Sequence, residues 1–434
     1  MRTSSKEPRT SSSAELYLGV RNMLRCDEAE VVHGIAGYVV SQHWALRVLS
    51  NLIERTRNTP VPGLIGLIGW SRSFLSVKPA ERRKGAVWIA RLSNERRAIE
   101  KMLSYADDLS PAELKSNFHP DVAGLRALSK NFSPRRIFKL VRSLRRYEFF
   151  KVLRVIEFIA YYTRFLEIFQ NGRFDLAVMS SHSNPHGLAF NLVARKFGVP
   201  VVLITHGMPI RPVARLAYDM AVVHCDFARR VYNEEGSRMD HVFTHGRRQN
   251  YVPMPSQLPD RLTGGIFLCK DVNEKRLQAL VTQLLSETNV SSILIRPHPK
   301  NLWVGLKDWI EGQQDPRLGI TANASVFQDV KSVDVVLGGN SSVLIDAVTA
   351  GRPGGYIADL DHGPHDLHRF VECGLIYPMQ DNWTPDSMLH FYQRPDWLNV
   401  LRLFANIEED EQTVAVRMAS NMRELAMTDR SHHS

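Results

Sequence analysis

The chain has 434 residues, 44% hydrophobic and 23% charged, a globular balance that excludes a disordered or fibrous protein and asks for two or three domains. Its formal net charge is +10, no stretch reaches the roughly 18 uninterrupted apolar residues of a membrane span, and no signal-peptide pattern opens it. Cys26, Cys225, Cys269 and Cys373 lie far apart without a CxxC, which argues against a zinc ribbon or a disulfide framework and fits a reducing compartment.

Residues 1–14, rich in Ser and Thr, predict a flexible tail. Residues 15–170 predict a helical N-terminal region with little strand signal. Within it, 132–154 holds eight cations, from Arg135 and Arg136 to Lys151 and Arg154, against the single Glu148, a surplus of seven. Interleaved Ile137, Phe138, Leu140, Val141, Leu144, Phe149 and Phe150 make this one or two basic amphipathic helices. Such helices suit an anionic membrane surface or an anionic acceptor polymer. The plain alternative is a solvated helix face packed through its apolar side. No nucleic-acid recognition motif accompanies the charge, so a nucleic-acid partner is not expected.

The text changes at Phe174. FDLAVMS predicts a strand, SHSNPHG a turn, LAFNLVARKFG a helix closed by Gly198, and VPVVLI a second strand running into Thr205-His206-Gly207-Met208-Pro209. This βαβ unit, continued by the apolar run 219–224, places a first Rossmann-like domain at 171–255. The proline-rich YVPMPSQLPD (251–260) predicts a linker. A second Rossmann-like domain follows at 262–394, with GGIFLCK, SSILIRPHP, DVVLGG and GGYIADL as strands and Leu277, Leu280, Val281, Leu284 and Leu285 as a helix stripe. Residues 395–434 predict C-terminal helices able to pack back on the first half.

In an open parallel sheet, ligands sit outside the carboxyl ends of the strands, where helix N-termini point N–H groups at anions. Arg296, Pro297, His298 and Pro299 stand at such an end, and Arg296 and His298 suit a phosphate. Gly338, Gly339 and Asn340 form a tight turn after another strand; the glycines permit the positive φ and close approach a phosphate demands, Ser341 and Ser342 offer hydroxyls and helix N-terminal amides, and Asp346 would accept from a ribose or sugar hydroxyl. Together they predict a nucleotide mono- or diphosphate site, and therefore a transferase. His206, in the other half, is the candidate general base. His182 and His186, at the preceding strand end, are candidates for lining the same cleft. His362, His365 and His368 do not predict a metal site, because Gly363 and Pro364 break the helix their spacing would need.

Three motifs in this order, His206-Gly207-Met208-Pro209, Arg296-Pro297-His298-Pro299 and Ser341-Ser342-Val343-Leu344-Ile345-Asp346, resemble the CDP-glycerol glycerophosphotransferase (teichoic-acid polymerase) family and related bacterial capsule and lipopolysaccharide glycosyltransferases. The resemblance implies an α/β GT-B fold, two Rossmann-like domains facing a cleft, preceded by the helical region. It implies His206 and His298 as catalytic residues. Arg296, Gly339, Ser341, Ser342 and Asp346 would bind donor nucleotide, His186 and Arg211 acceptor, and no metal or separate cofactor is expected. The donor would be CMP- or CDP-linked, with a UDP-linked donor as the further option, and the acceptor a polysaccharide or lipid-linked chain at the cytoplasmic face of the plasma membrane. The alternatives are a nucleotide-sugar 2-epimerase of the same fold and a non-catalytic membrane-associated scaffold.

If 132–154 meets anionic lipid, each cation near the surface contributes on the order of 1 kcal/mol, an effect screened by salt. Changing Arg142, Arg145 and Arg146 to Gln is then expected to weaken cosedimentation with phosphatidylserine vesicles steeply, and the wild type is expected to detach as salt rises. Binding indifferent to both would make the segment a packed structural element.

Overall fold

The computed structural model of the protein describes residues 18–23, 76–77, 85–114, 116–117, 149–182, 184–209, 211, 213–245, 251–299, 303–321 and 325–428. Residues 1–14 and the basic stretch up to residue 148 lie outside these.

Short apolar runs build the first sheet: β1 (Ala86–Ile89), β2 (Ala112–Glu113), β3 (Leu176–Met179), β4 (Val201–Ile204), β5 (Ala217–Val223) and β6 (Arg238–Thr244). They pair in parallel in the order β2-β1-β3-β4-β5-β6. AVWI, LAVM and VVLI carry no polar residue and are buried at every position. That is the pattern of a parallel sheet covered by helices on both faces. On one side α2 (Phe149–Asn171) lies along α3 (Pro185–Lys196), where Phe165 and Phe169 meet Phe190 edge-on at 5.3 and 5.7 Å. On the other side α1 (Ser93–Leu103) covers the sheet, while α4 (Asp226–Glu234), which follows β5, buries Phe227, Ala228, Val231 and Tyr232 in the same core as α2 and α3. Among the described residues no helix is long and apolar enough to cross a membrane.

The helical reading of 15–170 is corrected here. β1 and β2 come from that stretch, and β1 pairs with β3 near the middle of the first sheet. Four apolar residues following a charged run carry too short a period to be told from a helix turn, and only their pairing makes them a strand.

The second sheet repeats the plan with β7 (Leu262–Phe267), β8 (Val290–Arg296), β9 (Leu318–Ile320), β10 (Val335–Gly338), β11 (Gly354–Tyr356) and β12 (Tyr377–Pro378). All pairs are parallel, in the order β9-β8-β7-β10-β11-β12. Helix α5 (Glu274–Ser286) returns β7 to β8, burying Leu277, Leu280, Val281 and Leu284. Next come α6 (Leu306–Gly312), α7 (Val326–Lys331), α8 (Val343–Thr349), α9 (Pro385–Tyr392) and α10 (Trp397–Phe404). The order reverses between β7 and β10 here, and between β1 and β3 in the first sheet. Those are the two points where a crevice opens at the carboxyl edge of a doubly wound sheet.

Two segments tie the halves together. The proline-rich stretch is pinned to the second half: the Val252 N–H donates to the Thr349 carbonyl at 2.9 Å, and Gln393 Nε2 to the Ser256 carbonyl at 3.3 Å. The last helix, α11 (Glu411–Met427), crosses back and sinks Met418 and Met422 among Trp88, Leu176, Val178, Val202 and Met220 of the first sheet. Arg423 forks onto Asp108 to hold that crossing.

The turn after β3 shows how sequence fixes local geometry. Asn184 caps α3 by accepting from the Gly187 N–H at 2.7 Å, Pro185 occupies the first helical turn, and Gly198 ends the helix at φ +65°. Gly187 is required for a steric reason: a Cβ there would stand 1.9 Å from the Ser181 carbonyl oxygen. Gly187→Ala is therefore expected to cost about 1–3 kcal/mol of stability, in the range of core overpacking, measured by urea unfolding. An unchanged midpoint would show that the Ser181 turn yields freely.

Candidate active site

At the carboxyl edge of the first sheet, three strand ends deliver polar side chains side by side. His206 follows β4 and is half-buried, with Nδ1 3.1 Å from Ser180 Oγ at the end of β3. His182, two residues beyond Ser180, puts Nδ1 2.8 Å from the Tyr232 hydroxyl on α4. Burial pushes the Tyr232 phenol well above its ordinary range, so it keeps its proton and donates to His182 Nδ1. Burial, and then the neighbouring His206, push His182 down to about 3. His182 is therefore neutral near pH 7, directly beside His206. One neutral and one proton-accepting histidine is an arrangement fitted to general-base work. The residue after β4, Thr205, donates to the Val222 carbonyl at 3.2 Å and contacts His224 Nδ1 at 3.3 Å, which braces the loop carrying His206.

The other acceptor candidates sit differently. His186 is a core residue, 2% exposed, with its ring 4.7 Å from Tyr161 and 5.5 Å from Phe165. The Asn184 cap starts the helix early enough to turn His186 inward, so it does not line a cleft. Arg211 is exposed and ion-paired with Glu234, with Glu235 at 3.9 Å, which ties its loop to α4.

At the carboxyl edge of the second sheet, His298 follows β8, half-buried between Pro297 and Pro299. Arg296 does not present a free guanidinium there. It is ion-paired with Asp329 on α7, a carboxylate 1% exposed that also accepts from the Thr321 hydroxyl. Its charge is spent inside the fold, holding α7 against β8. The glycine turn after β10 makes no use of the freedom its glycines permit: neither Gly338 nor Gly339 has positive φ. Gly339 is needed because a Cβ would meet the Asp361 carboxylate at 2.2 Å. That carboxylate accepts from the Asn340 N–H at 2.7 Å and from Asn340 Nδ2 at 2.9 Å. The turn's own amide is thus taken by an acid. Ser341 and Ser342 stand half-buried at the start of α8, where the Val343 N–H donates to Ser341 Oγ at 3.4 Å, and Asp346 lies half-buried on the same helix. His365 packs edge-on against Tyr356, His368 against Phe370, and His362 is exposed.

Sequence reasoning passed over Ser180, Tyr232, Asp271 and Asp329. Ser180 was the findable one, as the first polar residue past a buried strand.

No protein-family model matches the chain, and no curated protein does. Among solved structures it is similar to CalG4, the calicheamicin glycosyltransferase (13% identity, 79% of this chain and 98% of that one, TM-score 0.48). It is similar to MnaA of S. aureus in complex with UDP (12%, 79% and 96%, 0.43). A third is the lipopolysaccharide outer core galactosyltransferase WaaB in its apo form (13%, 79% and 99%, 0.39). The paired parallel six-stranded sheets described above are the α/β organisation of the GT-B fold.

His186 carries a pH consequence. Burial, and then Arg91, push its folded value down to about 3 from an ordinary 6.5, so the unfolded chain binds the extra proton. The stability it contributes is complete above about pH 6.5 and is lost progressively as pH falls toward 3. Urea midpoints measured between pH 7 and pH 4 are expected to fall, with a shallower fall in His186→Leu. Equal slopes in the two proteins would remove His186 as a cause.

Proposed function

We propose that the protein transfers a glycosyl or polyol-phosphate group from a cytidine nucleotide donor to a hydroxyl of a growing bacterial surface polysaccharide, at the cytoplasmic face of the membrane. The observation that carries this reading is the His206–Ser180 contact beside a neutral His182 at the carboxyl edge of one sheet. His298, Ser341 and Ser342 stand at the same edge of the other. The three-motif resemblance supports the cytidine donor and the polymer acceptor.

In this scheme Ser180 fixes the His206 ring through Nδ1, and the acceptor hydroxyl passes its proton to Nε2. The acceptor oxygen bonds to the anomeric carbon, or to phosphorus for a polyol phosphate, as the bond to the nucleotide's leaving oxygen breaks. His298 and the hydroxyls of Ser341 and Ser342 offset charge on the departing phosphate. Asp346 accepts from a donor hydroxyl. Arg296 acts indirectly, keeping β8 and α7 in register behind His298.

Transfer by His206→Ala is expected to fall roughly a hundredfold or more, the usual worth of a positioned base, with nucleotide affinity by calorimetry nearly unchanged. His298→Ala is expected to lose more turnover than the Ser341→Ala/Ser342→Ala pair, because the backbone amides of α8 survive that change. Full turnover in His298→Ala would remove the donor-site assignment. Conversion of the donor without any acceptor present would favour an isomerase instead.

A further inference from the structure

The switch point of the second sheet holds a carboxylate that the fold leaves unused. β7, the strand from which the order runs both ways, ends at Phe267, and Cys269, Lys270 and Asp271 follow before Asn273 caps α5. Asp271 is 4% exposed, yet neither carboxylate oxygen has a hydrogen-bond partner among the described residues. Buried polar groups in folded proteins are paired with few exceptions, and an unpaired buried acid destabilises the chain that keeps it. Its neighbour Asp361 is the opposite case, fully used by Asn340 and by the Gly363 N–H at 3.1 Å.

The local charge selects the ligand chemistry. With Asp361 committed to Asn340 and Gly363, Asp271 is raised above the usual carboxylate range by burial, against the opposing pull of His362, with Asp361 adding to the rise and Lys270 opposing it. Burial and Asp361 also push the Cys269 thiol up. A phosphate would be repelled from this end of the crevice and find its partners toward His298 and Ser341. A group that donates hydrogen bonds and carries no negative charge would be welcome.

We infer that this crevice binds a vicinal diol of the donor, from its ribose or from the transferred sugar, with the Asp271 carboxylate accepting from the two hydroxyls. The inference rests on the donor reading given above and divides the donor between two ends of one edge: hydroxyls at Asp271, phosphate at His298 and Ser341. The 361–364 turn lies against the backbone of the Asp271 segment. It is bridged to Val272 through Asp361, and the N–H of exposed His362 donates to the Asp271 carbonyl at 3.1 Å. The diol enters by displacing that turn, and the orphaned oxygens gain the partners they lack.

Calorimetry with CDP, 2′-deoxy-CDP and CDP-glucose, and with the uridine series in parallel, separates the sources on wild type and Asp271→Asn. If the ribose is bound, Asp271→Asn weakens CDP about tenfold, a hydrogen bond to a charged group being the interaction lost, and leaves 2′-deoxy-CDP unchanged. If the transferred sugar is bound, the loss appears only for the nucleotide sugar. In the ligand-free protein Asp271→Asn is expected to melt about 2 °C or more higher, as when a group kept for function is neutralised. Unchanged affinity for every ligand, or a lower melting temperature, overturns the inference. Nucleotide binding with an indifferent Asp271→Asn defeats this inference alone. Absence of any nucleotide binding to the wild type defeats the donor reading and this one with it.

Discussion

The constraint on which everything else depends is that both sheets are parallel and covered on both faces. A strand buried on two sides cannot carry a polar side chain without leaving it unpaired, so LAVM, VVLI and VVLG are apolar end to end. Chemistry is forced to the carboxyl rims, where the chain first emerges into space that water or a ligand can fill. Ser180, His206 and His298 are each the first or second polar group past a strand. Their positions follow from burial before any question of reactivity arises.

The two rims differ in electrical character. On the first, the polar groups are imidazoles and hydroxyls, and burial together with mutual proximity keeps one histidine neutral beside the other. On the second, carboxylates dominate next to the crevice, and the arginine expected to meet phosphate is drawn inward by Asp329. Buried ion pairs of that kind fix geometry more than they add stability, because desolvation offsets much of the Coulomb gain. Arg296 thus shapes the strand end that presents His298. Gly339 likewise serves an acid, since the space its missing Cβ leaves is filled by the Asp361 carboxylate.

The halves are joined by burial at the C-terminal crossing. Met418 and Met422 on α11 are fully buried in the first sheet's core, although they lie beyond the second domain in the chain. That crossing makes the stability of the first half depend on residues far from it in sequence. Phe227 on α4 stacks on Phe404 of α10 at 4.4 Å, a further apolar tie between the halves.

Much of this was legible in the chain itself. The run 174–204 predicted a βαβ unit because four-residue apolar runs, an intervening helical period and Gly198 each point the same way, and the structure has β3, α3 and β4 there. The leucine stripe of α5 and the apolar runs of β7, β8 and β10 were equally readable, because periodicity survives in a single sequence. Which polar residues meet was not readable. Nothing local distinguishes His186, turned into an aromatic core, from His182, held by Tyr232 fifty positions away. Nothing local says that Arg296 closes on Asp329, or that Asp271 is left without a partner. The short β1 failed for the same reason, since its identity depends on pairing with β3. Sequence by itself determined the apolar periods, the caps and the glycines that end helices, because each rests on contacts within one turn or one strand. The tertiary structure alone decided which charges are spent and which are left over, because pairing, burial and the desolvation that shifts a proton depend on groups brought together from distant parts of the chain.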